Sequence, residues 1–128
     1  MSDIKQVIVM RKDLHMRAGK MIAQGAHASI KFLTDKIQNT KSSLHWIQWT
    51  EEERAWIYGS FTKIVVSVDS EEELMKIYDY ARLANLTVSL IVDSGATEFH
   101  GVPTSTCIAI GPNKSEDIDK VTGHLKLL

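Results

Sequence analysis

Lys20, Gln24, His27 and Lys31 follow one another at offsets of four, three and four. On an α-helix, at about 100° per residue, that spacing brings all four within roughly 60° of arc. A cation, an amide and an imidazole then share one face, opposite a stripe of Ile22, Ala26 and Ile30. Small Ala18 and Gly19 precede the set, so an anion could approach the helix N-terminus, where unpaired N–H groups favour negative charge. The alternative is a solvated helix face with one incidental histidine. A second candidate is Asp93, which with Ser94 and Gly95 leaves an apolar stretch. Ligands of open α/β sheets bind outside the carboxyl ends of strands, so an acid leaving a buried strand there is a site candidate. The alternative is a turn former ahead of Gly95. Thr97, His100 and the run Thr104-Ser105-Thr106 add hydroxyls and an imidazole downstream, a weak signal taken alone.

Other chemistries find no support. There is no Gly-x-Ser-x-Gly elbow, no Gly-rich phosphate loop and no dinucleotide fingerprint. Histidines 15, 27, 45, 100 and 124 show no ligand spacing, so no metal site is expected. Cys107 sits inside an apolar run and reads as core.

The elements that must position these residues alternate. Gln6 to Met10 is an almost continuous apolar run, as in a strand covered on both faces. A long helical pattern follows, with Ile22, Ala26, Ile30, Leu33 and Ile37 as its apolar stripe. Residues 39–43 read as a polar connector and about 44–58 as a weaker helix carrying Trp46, Trp49 and Trp56. Lys63 to Val68 is a second strand. Ser70 and Glu73 form a capping-box pattern, each satisfying the other's exposed backbone donor. They open a helix with Leu74, Ile77, Tyr78 and Ala81 inside, which Asn85 ends in a left-handed cap. Val88 to Val92 and Thr106 to Ile110 are the third and fourth strands; Gly111-Pro112 stops the latter, and a short helix runs from Ser115 to Val121. The pattern predicts a three-layer α/β/α fold with a mixed, mainly four-stranded central sheet. Leu125, Leu127 and Leu128 are expected to dock on the core.

The chain has 128 residues, 44% of them hydrophobic and 24% charged, enough for one domain over residues 1–128 with a real core. No apolar run nears the roughly 20 residues of a membrane span, and the first residues lack a signal-peptide pattern. With one cysteine no internal disulfide can form, so the expected compartment is the cytoplasm. Net charge is −1, but residues 1–45 carry +5 and residues 46–93 carry −5. That asymmetry suits a phosphate-rich partner, or no more than a helix with scattered lysines.

Several blocks then speak together. Lys5-Gln6-Val7-Ile8-Val9, Arg11-x-Asp13-Leu14-x-Met16 and Gly19-Lys20-x-Ile22-Ala23-Gln24-x-Ala26-His27-Ala28 resemble the opening of the peptidyl-tRNA hydrolase 2 family. So do Val68 to Leu74, Ile91-Val92-Asp93-x-Gly95-x-Thr97, Ile108 to Pro112 and Asp119 to Leu128, all in order. The resemblance implies hydrolysis of the ester joining peptide to tRNA, without metal or cofactor, in a chain commonly found as a homodimer. It places the catalytic residues at Lys20, Asp93, Thr97 and Thr106, with Gln24 and His27 beside them for substrate. Lys12, Arg17 and Lys31 are the cations expected to meet tRNA phosphates. Attack by water is expected, with Asp93 orienting or deprotonating it, Lys20 stabilising negative charge, and Thr97 and Thr106 positioning substrate or water. Four features depart from the family. Ala18 and Ala96 stand where cations are usual, Glu98 replaces Gln, and the loop Phe99–Thr104 is one residue longer. Weaker tRNA binding follows, and the alternative function is a non-catalytic tRNA- or protein-binding member of the same fold.

Overall fold

The computed structural model describes residues 3–39 and 47–128. In chain order it contains β1 (Ile4–Arg11), α1 (Ala18–Asn39), α2 (Glu51–Ile57), β2 (Lys63–Val68), α3 (Glu71–Leu83), β3 (Val88–Asp93), β4 (Thr104–Lys114), α4 (Ser115–Thr122) and β5 (Lys126–Leu127). The sheet order is β3-β4-β1-β2-β5. β1 and β2 are parallel, while β4 lies antiparallel to both β1 and β3. β1, β2 and β3 therefore point the same way, and Arg11, Val68 and Asp93 end at one edge of the sheet.

Alternation along β1 separates two cores. Val7 and Val9 face Leu74, Ile77 and Ala81 of α3 and Ile118 and Val121 of α4. Ile8 and Met10 face α1, where they pack with Ala28, Met16, Cys107 and Ile91. The expected mixed three-layer architecture is present. A fifth strand is added because β5 pairs antiparallel with the edge of β2, and two residues are too few for a sequence pattern to announce.

Several local expectations change. α1 does not bury its isoleucine stripe: Ile22 is 73% and Ile30 50% exposed, and Gln24, Ala28, Ser29 and Phe32 face the sheet instead. The reason is polar satisfaction. Gln6, itself buried, donates to the Ser29 carbonyl at 2.9 Å and accepts from the Ser29 hydroxyl at 2.6 Å, and Gln24 is likewise bonded across the interface. Small Ala28 and Ser29 let the helix approach closely. The isoleucines instead border an open apolar groove of about 660 Å³ over β1 and β2.

α2 begins only at Glu51, because Thr50 caps it and forms a reciprocal capping box with Glu53. The expected connector from residue 40 and the first part of that helix, Trp46 included, lie outside the described residues. At α3 the Ser70 hydroxyl accepts from the Glu73 N–H, but the Glu73 carboxylate accepts from Asp69 rather than Ser70. Asn85 takes the left-handed conformation expected of it, with φ 59°. β4 does not stop at Gly111-Pro112: it continues to Lys114, pairing with Ile4 and Lys5 after a register shift that accommodates the proline. Of the terminal leucines, Leu125 packs on the core, whereas Leu127 and Leu128 stay exposed because they sit at the sheet edge.

Candidate active site

Asp93 ends β3 beside the first turns of α1, and the two sequence candidates meet there. Lys20 Nζ lies 2.8 Å from Asp93 Oδ1 and also donates to Thr97 Oγ1 at 2.8 Å. Gln24 Nε2 donates to the same Asp93 oxygen at 3.3 Å. Oδ2 accepts the Gly95 N–H at 2.9 Å, so the acid both forms the turn and joins the cluster. Gly95 is required at this turn: its φ is +84°, and a Cβ would come within 2.6 Å of the Val102 backbone nitrogen.

Asp93 and Lys20 are both largely withdrawn from water. The Lys20 ammonium beside Asp93 holds its carboxyl below the usual carboxylate range, helped by the Gly95 N–H and the Gln24 amide against the opposing effect of burial. Asp93 is therefore ionised at neutral pH. Two of its lone-pair positions on Oδ1 are taken and one on Oδ2, which leaves Oδ2 able to accept once more. Lys20 has spent two of its three N–H donors. The third, and the hydroxyl proton of exposed Thr97, remain for a ligand.

Thr106 and Gln24 are placed differently from Thr97. Thr106 is 0% exposed and Gln24 3%. The Thr106 hydroxyl donates to Gln24 Oε1 at 2.5 Å, and the Cys107 thiol to the Gln24 carbonyl at 3.4 Å. Cys107 is core, and burial pushes its thiol up to about 11.

Of the remaining expected residues, Lys12 and Arg17 are exposed near the same sheet edge, flanking the start of α1. Lys31 pairs with Asp35 at 3.0 Å, and His27 is exposed without joining the cluster. Two contributors were not singled out in the sequence. One is the Gly95 amide, signalled by a Gly two residues after an Asp. The other is Phe99, whose ring centroid lies 5.8 Å from Lys20 Nζ and whose φ of 66° no sequence rule foretells. Among the described residues no group of three or more His, Cys, Asp or Glu converges as a metal site.

The family model for peptidyl-tRNA hydrolase PTH2 matches residues 4–128. The chain belongs to that family. It is 45% identical over 126 residues to the peptidyl-tRNA hydrolase of Methanocaldococcus jannaschii, covering 98% of this chain and 100% of that one. It is also 45% identical over 124 residues to the peptidyl-tRNA hydrolase of Sulfurisphaera tokodaii, covering 97% and 98%. A protein of unknown function from Agrobacterium tumefaciens shares the fold, with a TM-score of 0.63 over 100% of this chain and 99% of its own at 14% identity. No helix among the described residues is long and apolar enough to cross a membrane.

Proposed function

We propose that this PTH2-family chain hydrolyses the ester between peptide and tRNA at the Lys20–Asp93–Thr97 cluster, releasing free tRNA. Family membership over residues 4–128 gives the reaction class, and the junction of Lys20 with Asp93 at 2.8 Å supports the location. Attack by water forms a C–O bond at the ester carbonyl and puts negative charge on its oxygen. Collapse breaks the bond to the ribose oxygen, which leaves with the proton the water gives up. The remaining N–H of Lys20 is available to stabilise such charge. Asp93, ionised and three times hydrogen-bonded, is a weak base and better suited to hold the attacking water at Oδ2. Thr97, tied to Lys20, presents its hydroxyl to substrate.

Residues 1–128 act in this reading as a single domain in the cytoplasm, where translation supplies the substrate. Exposed Lys12 and Arg17 lead tRNA binding, with paired Lys31 contributing less. The chain pairs with a second copy along α1. Ala18, Ile22, Ala26 and Ile30 alternate small and large at a spacing of four, which suits an identical helix laid into the adjoining groove.

The deciding experiment offers the purified protein peptidyl-tRNA and free aminoacyl-tRNA together, at several salt concentrations. Catalytic release of peptide is expected, with tRNA affinity falling by about 0.7–0.9 in log–log slope for each phosphate neutralised. Stoichiometric binding without release would refute the hydrolase, and salt-independent affinity would refute the electrostatic role of Lys12 and Arg17.

A further inference from the structure

Thr106 touches no solvent and Gln24 almost none, so neither reaches substrate from where it sits. What links them to the site is a directed chain of hydrogen bonds. The Thr106 hydroxyl donates to Gln24 Oε1, and Gln24 Nε2 donates to Asp93 Oδ1. An amide side chain can present either its oxygen or its nitrogen to a neighbour. Opposite an ionised carboxylate the nitrogen must face inward, because the oxygen would set two acceptors against each other. We infer that Thr106 is a positioning residue: Asp93 sets which end of the Gln24 amide faces it, and the Thr106 hydroxyl satisfies the other end. Gln24 thereby stays in place with its N–H on Asp93 and keeps the acid charged and still.

The geometry has no slack for the alternative. α1 is held against β4 by the Cys107 thiol on the Gln24 carbonyl, and against β1 by the bonds between Gln6 and Ser29. The backbone that carries the amide is therefore fixed against both strands. With the Thr106 hydroxyl absent, Oε1 is left in a dry pocket without a donor, so the amide is held from one side only and its bond to Asp93 loosens. The groups bonded to Asp93 are the Lys20 ammonium and the Gln24 amide from α1 and the Gly95 N–H from the loop after β3. Of these only Lys20 is charged, and its second bond is to Thr97 rather than to Gln24 or Thr106. Loss of Thr106 should thus be felt at Asp93 without removal of its cation.

The catalytic consequence rests on the hydrolase reading above, but the positioning itself is measurable without turnover. The experiment follows the carboxyl carbon of Asp93 by NMR through an acid titration of the ligand-free protein. Thr106→Val, which keeps the shape and removes the hydroxyl, should raise the Asp93 titration. Thr106→Ser should return it toward the wild-type position. Gln24→Met should raise it too, and Thr106→Val added to Gln24→Met should raise it no further, since the threonine acts only through the amide. In single-turnover peptide release, Thr106→Val should lower the rate about tenfold, the scale of one hydrogen bond to a charged group, with KM unchanged. An Asp93 titration unmoved by Thr106→Val, or additive shifts in the double variant, would overturn the inference. If Thr106→Val fails to fold, Thr106→Ser and Gln24→Met decide the matter, since a serine that moves the titration as far as methionine contradicts it. A wild-type protein that shows the titration pattern but releases no peptide would overturn the hydrolase reading alone.

Discussion

Asp93 and Lys20 are 73 positions apart in sequence and 2.8 Å apart in space. Their shared job can be tested at the level of the two side chains. If both serve one step, Lys20→Ala and Asp93→Asn should each slow peptide release, and the double variant should be little slower than the worse single one. Effects that multiply would refute the shared site. Lys20→Ala should also move the acidic limb of the rate profile upward. The sign follows from the pair. Lys20 lowers the folded-state pKa of Asp93, so the stabilisation is present above the ordinary carboxylate range and lost as pH falls through the depressed value. Without Lys20 that loss begins at higher pH. The two residues were legible in sequence because one ends an apolar strand and the other opens a polar helix face. The burial of Gln24 was not legible. A glutamine among polar neighbours looks solvated, and only the partner strand, 82 residues later, supplies the donor that lets it be buried.

Elements show the same division between near and distant information. The start of α3 at Ser70 and the end marked by Asn85 depend on bonds within a few residues, and the sequence conveyed both. The capping box of α2, Thr50 with Glu53, is equally local but was masked by the tryptophans, whose spacing suggested a longer helix. The inversion of α1 is a different kind of event. Its apolar stripe is real, but the sheet accepts the face that carries Gln24, Ala28 and Ser29, since those residues bond and fit there. β5 belongs to this scale as well. Leu127 is 74% exposed and Leu125 packs on the core, so removing residues 127–128 should cost little beyond the Leu127–Val66 pairing and the Leu128 N–H bond to Val65. Removing residues 125–128 should cost up to about 1.5–3 kcal/mol more, as Leu125 leaves the core. Thermal melts of the two truncations check this, and equal losses would contradict it.

For the whole molecule, charge and apolar surface are sorted by side. The basic residues Lys12, Arg17 and Lys20 flank β1 and α1, whereas Asp69 and Glu71 to Glu73 crowd the start of α3 at the end of β2. In the proposed reading a tRNA backbone approaches from the α1 side of that edge. The apolar groove lies on the far side of α1 from Lys20, so a second copy bound there leaves the cluster open. Ile22→Glu should give a monomer by sedimentation and leave the Lys20–Asp93 pair intact. A wild-type protein monomeric at all concentrations would refute the pairing.

The place of β4 has a temporal meaning. It lies between β1 and β3 in the sheet but comes after both in the chain. β3, and with it Asp93, joins the sheet only through β4, and Thr106 itself belongs to that strand. While the protein is being made from its N-terminus, Lys20 and Asp93 are both translated before the strand that ties β3 into the sheet. The nascent chain, itself a peptide esterified to tRNA, thus carries Lys20 and Asp93 before it carries β4, which joins β3 and its Asp93 to the sheet.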